Sequence, residues 1–182
     1  VGINNYEFFE ATHFDDPCVQ NFIDDGKVIS FPPCFRCGMN RCSCENNFLT
    51  KFQIANWISY MNLFQKILNE DNNTILICED DIVFSHQYKR IINNLLSKSS
   101  IERHRINFNK PLLIRFGTAF NPVNHNSLDA PRFLRNYSLC NPCFGINKKM
   151  AYIFLKYSKI MDYHSDVYFH KKIPQQISGI QF

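Results

Sequence analysis

The run Ile75-Leu76-Ile77-Cys78-Glu79-Asp80-Asp81-Ile82-Val83-Phe84 constrains this chain more than any other segment. An apolar stretch enters three consecutive carboxylates, and a second apolar stretch leaves them. Adjacent carboxylates repel one another, so three at the end of a buried strand are costly unless something compensates them. A divalent cation does so well, because Mg²⁺ and Mn²⁺ are hard ions that take oxygen ligands and bridge phosphates. The first expectation is therefore a metal-dependent enzyme acting on a phosphate-bearing substrate. The triplet also fits a solvated acidic turn after a core strand.

The surrounding pattern supplies a scaffold. Thr50-Lys51-Phe52-Gln53 fits a capping box, in which the Thr and Gln side chains satisfy exposed backbone N–H groups. Ile54, Trp57, Ile58, Met61, Phe64 and Leu68 follow at helical spacing, which predicts a helix from about Thr50 to Glu70. Thr74–Cys78 reads as a short buried strand. Ser85 can cap a second helix bearing Ile91, Ile92, Leu95 and Leu96. Pro111–Phe116 reads as another buried strand before Gly117, and residues 117–135 as a loop. Strand-like pieces occupy 137–146, and Asn147 can cap a third helix with Met150, Ile153, Phe154, Tyr157 and Ile160. Residues 1–46 look irregular, apart from a short strand around Tyr6–Glu10. Alternation of helices with short apolar strands predicts an α/β domain with a mainly parallel sheet. The chain shows no internal repeat.

Composition sets the bounds. At 182 residues, 45% hydrophobic and 20% charged, the chain is expected to form one domain, 1–182, with a substantial core. It has 18 Phe and 8 Tyr but one Trp, so aromatic rings do much of the packing. The net charge of +4 is mild, and no Lys/Arg run interleaved with aromatics points to nucleic acid. No stretch approaches the ~20 apolar residues needed to span a bilayer. A start at Val1, with no visible signal peptide, reads as a fragment or a processed product.

Of 8 Cys, four crowd into Cys34-x2-Cys37-x4-Cys42-x-Cys44 at about 32–46, and two form Cys140-x2-Cys143. Cys34, Cys37, Cys42 and Cys44 can close a tetrahedral structural Zn²⁺ site, although the spacing matches no common finger. Small buried residues or disulfides are the other readings. Cys78 reads as core.

Several segments, in order, resemble glycosyltransferase family 25, the family of lipooligosaccharide and collagen glycosyltransferases. Tyr6-Glu7-Phe8-Phe9-Glu10-Ala11-Thr12 resembles its F-x-A-x-D segment, and Thr50 to Tyr60 its T-x-G-E-x-G-C-x-x-S-H helix. Ile77-Cys78-Glu79-Asp80-Asp81-Ile82 resembles its L-E-D-D-V strand end. Cys143 to Ala151 resembles its A-Y-x-I-x-x-x-x-A step, with Asp162 or Asp166 matching the Asp that follows. The resemblance covers roughly residues 5–170. Tyr60 stands where the family has His and Gln53 where it has Glu. The family's opening strand, V-x-x-I-N-L-x-x-R, is missing, which implies either an N-terminally incomplete domain or a diverged relative without activity.

The resemblance implies a Rossmann-like GT-A fold and sugar transfer from a nucleotide sugar, with a UDP-sugar as the first guess. The acceptor would be a glycan or lipid-linked hydroxyl, the course inverting, and the setting the cytoplasmic side of cell-surface polysaccharide synthesis, at most peripheral to the membrane. It implies that Asp81, with Asp80, holds Mn²⁺ or Mg²⁺, that Glu79 and Asp80 lie near ribose or metal-bound water, and that Asp166 or Asp162 is the base. Arg115 ends a strand where it can pair with phosphate or form a structural ion pair. Ser59 can reach the nucleotide or bond back to its own helix. His164 and His170 flank Asp166 as further ligands or as ordinary surface or core histidines. Two other functions fit the same residues. One is a metal-dependent nuclease or phosphatase, for which Asp129 is the nearest further acid. The other is an inactive, zinc-stapled binding domain derived from a glycosyltransferase.

Overall fold

The computed structural model describes residues 6–29, 37–39, 49–82, 88–95, 97–103, 105–116, 143–173 and 177. Six helices and three strands lie within them: α1 (Pro17–Asp24), α2 (Lys51–Asn69), β1 (Thr74–Cys78), α3 (Tyr88–Leu95), α4 (Lys98–Arg103), β2 (Leu113–Arg115), β3 (Cys143–Asn147), α5 (Lys148–Tyr157) and α6 (Ser165–Val167). A π-helical turn, Tyr168–Lys172, continues α6.

α2 carries the capping box expected of it. Thr50 Oγ1 accepts from Gln53 N at 3.3 Å, and Gln53 Oε1 accepts from Thr50 N at 2.8 Å. Its apolar face buries Ile54, Trp57, Ile58, Phe64 and Ile67. α5 packs against α2, burying Met150, Ala151 and Phe154. Phe169, from the π-helical turn, fills the space between them. Its ring lies 5.3 Å from Trp57 (stacked), 5.3 Å from Phe64 and 5.4 Å from Tyr60 (both edge-on), and 4.9 Å from Phe154. Such pairs contribute about 0.5–1.5 kcal/mol each beyond the apolar area they bury.

The sheet has the order β1-β3-β2, and both ladders are antiparallel. This corrects the expected mainly parallel sheet for the described strands; an isolated parallel bridge, Val28–Met161, lies outside them. The reason lies in burial. β3 is buried at every position, whereas β1 is at the edge of the described sheet, with Leu76 and Cys78 exposed. An apolar run of five residues marks a strand without fixing its direction.

Three further expectations change. Tyr6–Glu10 is not a strand but an extended segment lying along α2, held by the Lys66–Glu7 ion pair and by Phe14 against Phe52. Tyr6, Glu7, Phe8 and Glu10 all face water, Phe8 being 87% exposed, and Phe9 alone in the segment is partly buried. The 1–46 region also contains α1, which starts with Pro17 at its first position, where the missing N–H costs nothing, and buries Val19. The Pro111–Phe116 strand shortens to Leu113–Arg115. The Ser85 cap and the 117–135 loop lie outside the described residues.

Asn147 ties the strands to α5. Its Oδ1 accepts from Met150 N (3.0 Å), capping α5, and from Leu112 N (3.2 Å). Its Nδ2 donates to Phe108 O (3.0 Å) and Lys110 O (2.7 Å). The residue is fully buried, so its loss strands polar groups away from water. Asn147→Ala is expected to lower unfolding free energy by roughly 2–4 kcal/mol in urea titration. A loss below about 0.5 kcal/mol, the level of an ordinary surface change, would show that these bonds do not hold the junction.

Candidate functional site

Glu79-Asp80-Asp81 emerges from the carboxyl end of β1, with Glu79 half-buried and Asp80 and Asp81 exposed. The Tyr60 hydroxyl reaches Glu79 Oε1 at 3.5 Å, from the same face of α2 that carries Asn56. Burial pushes the Glu79 carboxyl above its ordinary range, and the negative charges of Asp166 and then Asp81 push it further. Asp166, on α6, is thus within electrostatic reach of a triplet that is remote from it in sequence.

A polar chain positions Asp166. Ser165 Oγ donates to Asp166 Oδ1 at 3.2 Å, and Asn56 Nδ2 donates to Ser165 Oγ at 3.4 Å. Asn56 also lines a cleft of about 340 Å³ between Thr12–Phe14 and the Phe52, Ala55 and Ser59 side of α2. Ser59 Oγ donates to Ala55 O and accepts from Thr12 N, each at 2.8 Å. Ser59 therefore bonds back to its own helix and also fixes the opposite wall of the cleft.

The rival acid, Asp162, is placed differently. It forms an ion pair with Lys172, whose ammonium lies 4.8 Å from the centre of the Tyr163 ring and 5.1 Å from that of Tyr168. Burial, and then the Asp162 charge, raise the Tyr168 hydroxyl to about 12. His164 precedes α6 at its N-cap without a side-chain capping bond. The His170 side chain lies outside the description. Arg115 is partly buried at the end of β2, paired in register with Phe144.

Cys34, Cys42, Cys44, Cys140 and Asp129 also lie outside the described residues, and Cys37 is exposed. Among the described residues, no three His, Cys, Asp or Glu side chains converge as a metal cage. Cys78 is not core as expected: it is exposed, with its Sγ 3.4 Å from that of buried Cys143. The hydrogen bond with Cys143 lowers the Cys78 thiol from its ordinary range. The same contact and then burial push the Cys143 thiol well up.

Asn56 and Ser165 escaped the sequence reading. Their one local sign is that Asn56, Ser59 and Tyr60 put polar atoms on a helix otherwise patterned for burial. The partners lie more than a hundred residues away and leave no spacing signal.

Glu79 gives a test with a defined sign. Its folded-state pKa is raised, so the folded chain keeps a proton that the unfolded chain has released. The stability linked to that proton is full below the ordinary Glu range and is lost as pH rises through the raised value. Glu79→Gln is expected to be more stable than the parent chain at pH 7, with the gain vanishing near pH 4, where Glu is largely protonated in both states. Equal destabilisation at both pH values in urea titrations would contradict this electrostatic picture.

A family model described as glycosyltransferase family 25 (LPS biosynthesis protein) matches residues 38–169. The match spans well over half of the chain, from Gly38 through α2, the acidic end of β1 and α5 to Phe169, and begins after the Tyr6–Thr12 segment. No curated protein matches the chain significantly. No helix among the described residues is long and apolar enough to cross a membrane.

Proposed function

Because the chain belongs to glycosyltransferase family 25, we propose that it transfers a sugar from a nucleotide sugar to a glycan or lipid-linked hydroxyl in lipopolysaccharide synthesis. The observation that carries this reading is that the Asp166 charge acts on Glu79, which links a base candidate to the acidic triplet that follows β1. The proposal includes a single Rossmann-like GT-A domain over 1–182, to which the described sheet contributes three strands, and a UDP-sugar donor.

The donor set fits a hard divalent cation. Mg²⁺ and Mn²⁺ use one or two carboxylates and complete their shell with water and substrate phosphates, so a closed protein cage is not required. Asp81 and Asp80 would hold the ion. When bound, it would offset the charge of a departing nucleoside diphosphate. Burial first, and then the neighbouring carboxylates, keep the Glu79 carboxyl reluctant to ionise, and a bound cation would relieve the carboxylate part of that cost.

Asp166 would take the proton from the acceptor hydroxyl as that oxygen attacks the anomeric carbon and the bond to the diphosphate breaks. Ser165 and Asn56 would orient its carboxylate, leaving Asp162 to its ion pair with Lys172. Arg115 would face the diphosphate. Ser59 would act through the cleft wall it holds, and the cleft beside Asn56 would take part of the donor or acceptor.

Calorimetric titration of the chain with UDP, GDP and CMP, with and without Mn²⁺, tests the reading. Mn²⁺-dependent binding of one nucleotide is expected, weakened at least roughly 100-fold in Asp81→Ala, since even outer-shell changes at metal sites cost 10–100-fold. Unchanged affinity in that variant would remove Asp81 from the site. Asp166→Asn is expected to lower kcat roughly 10²–10⁴-fold while nucleotide affinity holds. Equal activity in that variant would exclude Asp166 as the base.

A further inference from the structure

We propose that Cys78 and Cys143 form a reversible dithiol–disulfide pair that latches the acidic end of β1 to the beginning of β3. The two residues are direct partners in the antiparallel register, and their Sγ atoms lie 3.4 Å apart. Direct partners in antiparallel strands have Cα atoms about 4.5 or 5.5 Å apart, depending on the pair type, and point to the same face. Both separations fall within the span of roughly 4.4–6.8 Å that a disulfide bridges. To reach bonding length the sulfurs must close by about 1.3 Å. β3 is held by ladders on both sides, whereas β1 is an edge in the described sheet, so β1 can supply the movement.

The surroundings also set the order of events. Cys78 is exposed and open to a reagent, while Cys143 is buried behind it. A small-molecule disulfide RSSR serves as the oxidant. The Cys78 sulfur attacks one sulfur of RSSR, the S–S bond breaks, and the first RSH leaves with the proton from Cys78. The Cys143 sulfur then attacks Cys78 Sγ, and the second RSH leaves with the proton from Cys143. The protein dithiol loses two electrons, RSSR gains them, and excess thiol reverses the exchange. The bond falls immediately before Glu79, so the register of the acidic turn is fixed in one redox state and free to shift in the other. None of this rests on the transferase reading.

The test is peptide mapping of the folded chain after incubation with oxidised glutathione, followed by acid quench and alkylation of the remaining thiols. The expected first internal disulfide joins the peptides bearing Cys78 and Cys143, with loss of two hydrogens, and dithiothreitol reverses it. Cys78→Ser is expected to leave Cys143 as an unmodified thiol under the same treatment. The bond closes a long loop, so the Tm of the oxidised chain is expected to rise on the order of 10 °C. The proposal is overturned if Cys78 stops at a mixed disulfide beside a free Cys143, or if Cys143 pairs with Cys140 instead. It is equally overturned if the Cys78–Cys143 bond forms with the Tm unchanged or lowered, because the geometry would then be forced.

Discussion

Phe169 is the side chain on which the remaining architecture leans. Its ring touches rings from α2, α5 and its own turn, and it is fully buried. Together with Tyr168 against Trp57 (4.7 Å) and Phe154 against Phe64 (4.9 Å), it seats the C-terminal part of the described chain on the first long helix. Asp166 lies one helical turn before it. The electrostatics around Glu79 are therefore a by-product of hydrophobic packing: the ring cluster fixes α6, and α6 carries the carboxylate to the acidic triplet. A ring cluster suits this task because its pairs combine burial with preferred angles, so it sets orientation as well as proximity. The π-helical turn belongs to the same solution, since such turns commonly re-aim side chains near functional sites.

The site has two kinds of polar residue, and they differ in what they depend on. Glu79, Asp80 and Asp81 are placed by the strand that precedes them. Asn56, Ser59 and Ser165 are placed by packing and spend their hydrogen bonds on fixing other groups: Asp166 in one direction, the Thr12 backbone in the other. Asp162, so near Asp166 in sequence, faces Lys172 instead. Two carboxylates four residues apart thus have different electrostatic neighbours, which is how similar side chains come to have different uses.

What was legible in the sequence was what local chemistry determines. Thr50 and Gln53 announced the start of α2, Thr74–Cys78 matched its strand boundaries, and Asn147 was readable as a cap because those signals operate within a turn of chain. The order of family-like segments was also legible, and the family match from residue 38 to 169 agrees with it. Strand direction was not legible, because apolar runs look alike whichever way their neighbours run. The helix beginning at Pro17 was missed although Asp16 and Pro17 form a reasonable start, because the prolines and cysteines around it suggested irregular chain. Exposure of Cys78 goes with the place of β1 at the edge of the described sheet, a property of the assembled strands. The Asn56–Ser165–Asp166 chain joins residues that no periodicity connects.

The central position of β3 bears on when this molecule takes shape as it leaves the ribosome. In the described sheet β1 and β2 each pair with β3 and not with each other. The acid-bearing strand is made early, yet its partner begins at Cys143 and the rings that settle α6 arrive later still. Long-range pairings of this kind form slowly, because chain entropy is spent before the contacts reward it. Until β3 is made, Thr74–Cys78 is an apolar ribbon without its described partner, and its negative tail works against sticking to other chains, since charge at the end of such a run discourages edge-to-edge association. The triplet that would serve chemistry in the finished fold thus has an earlier use, as a guard on the nascent one.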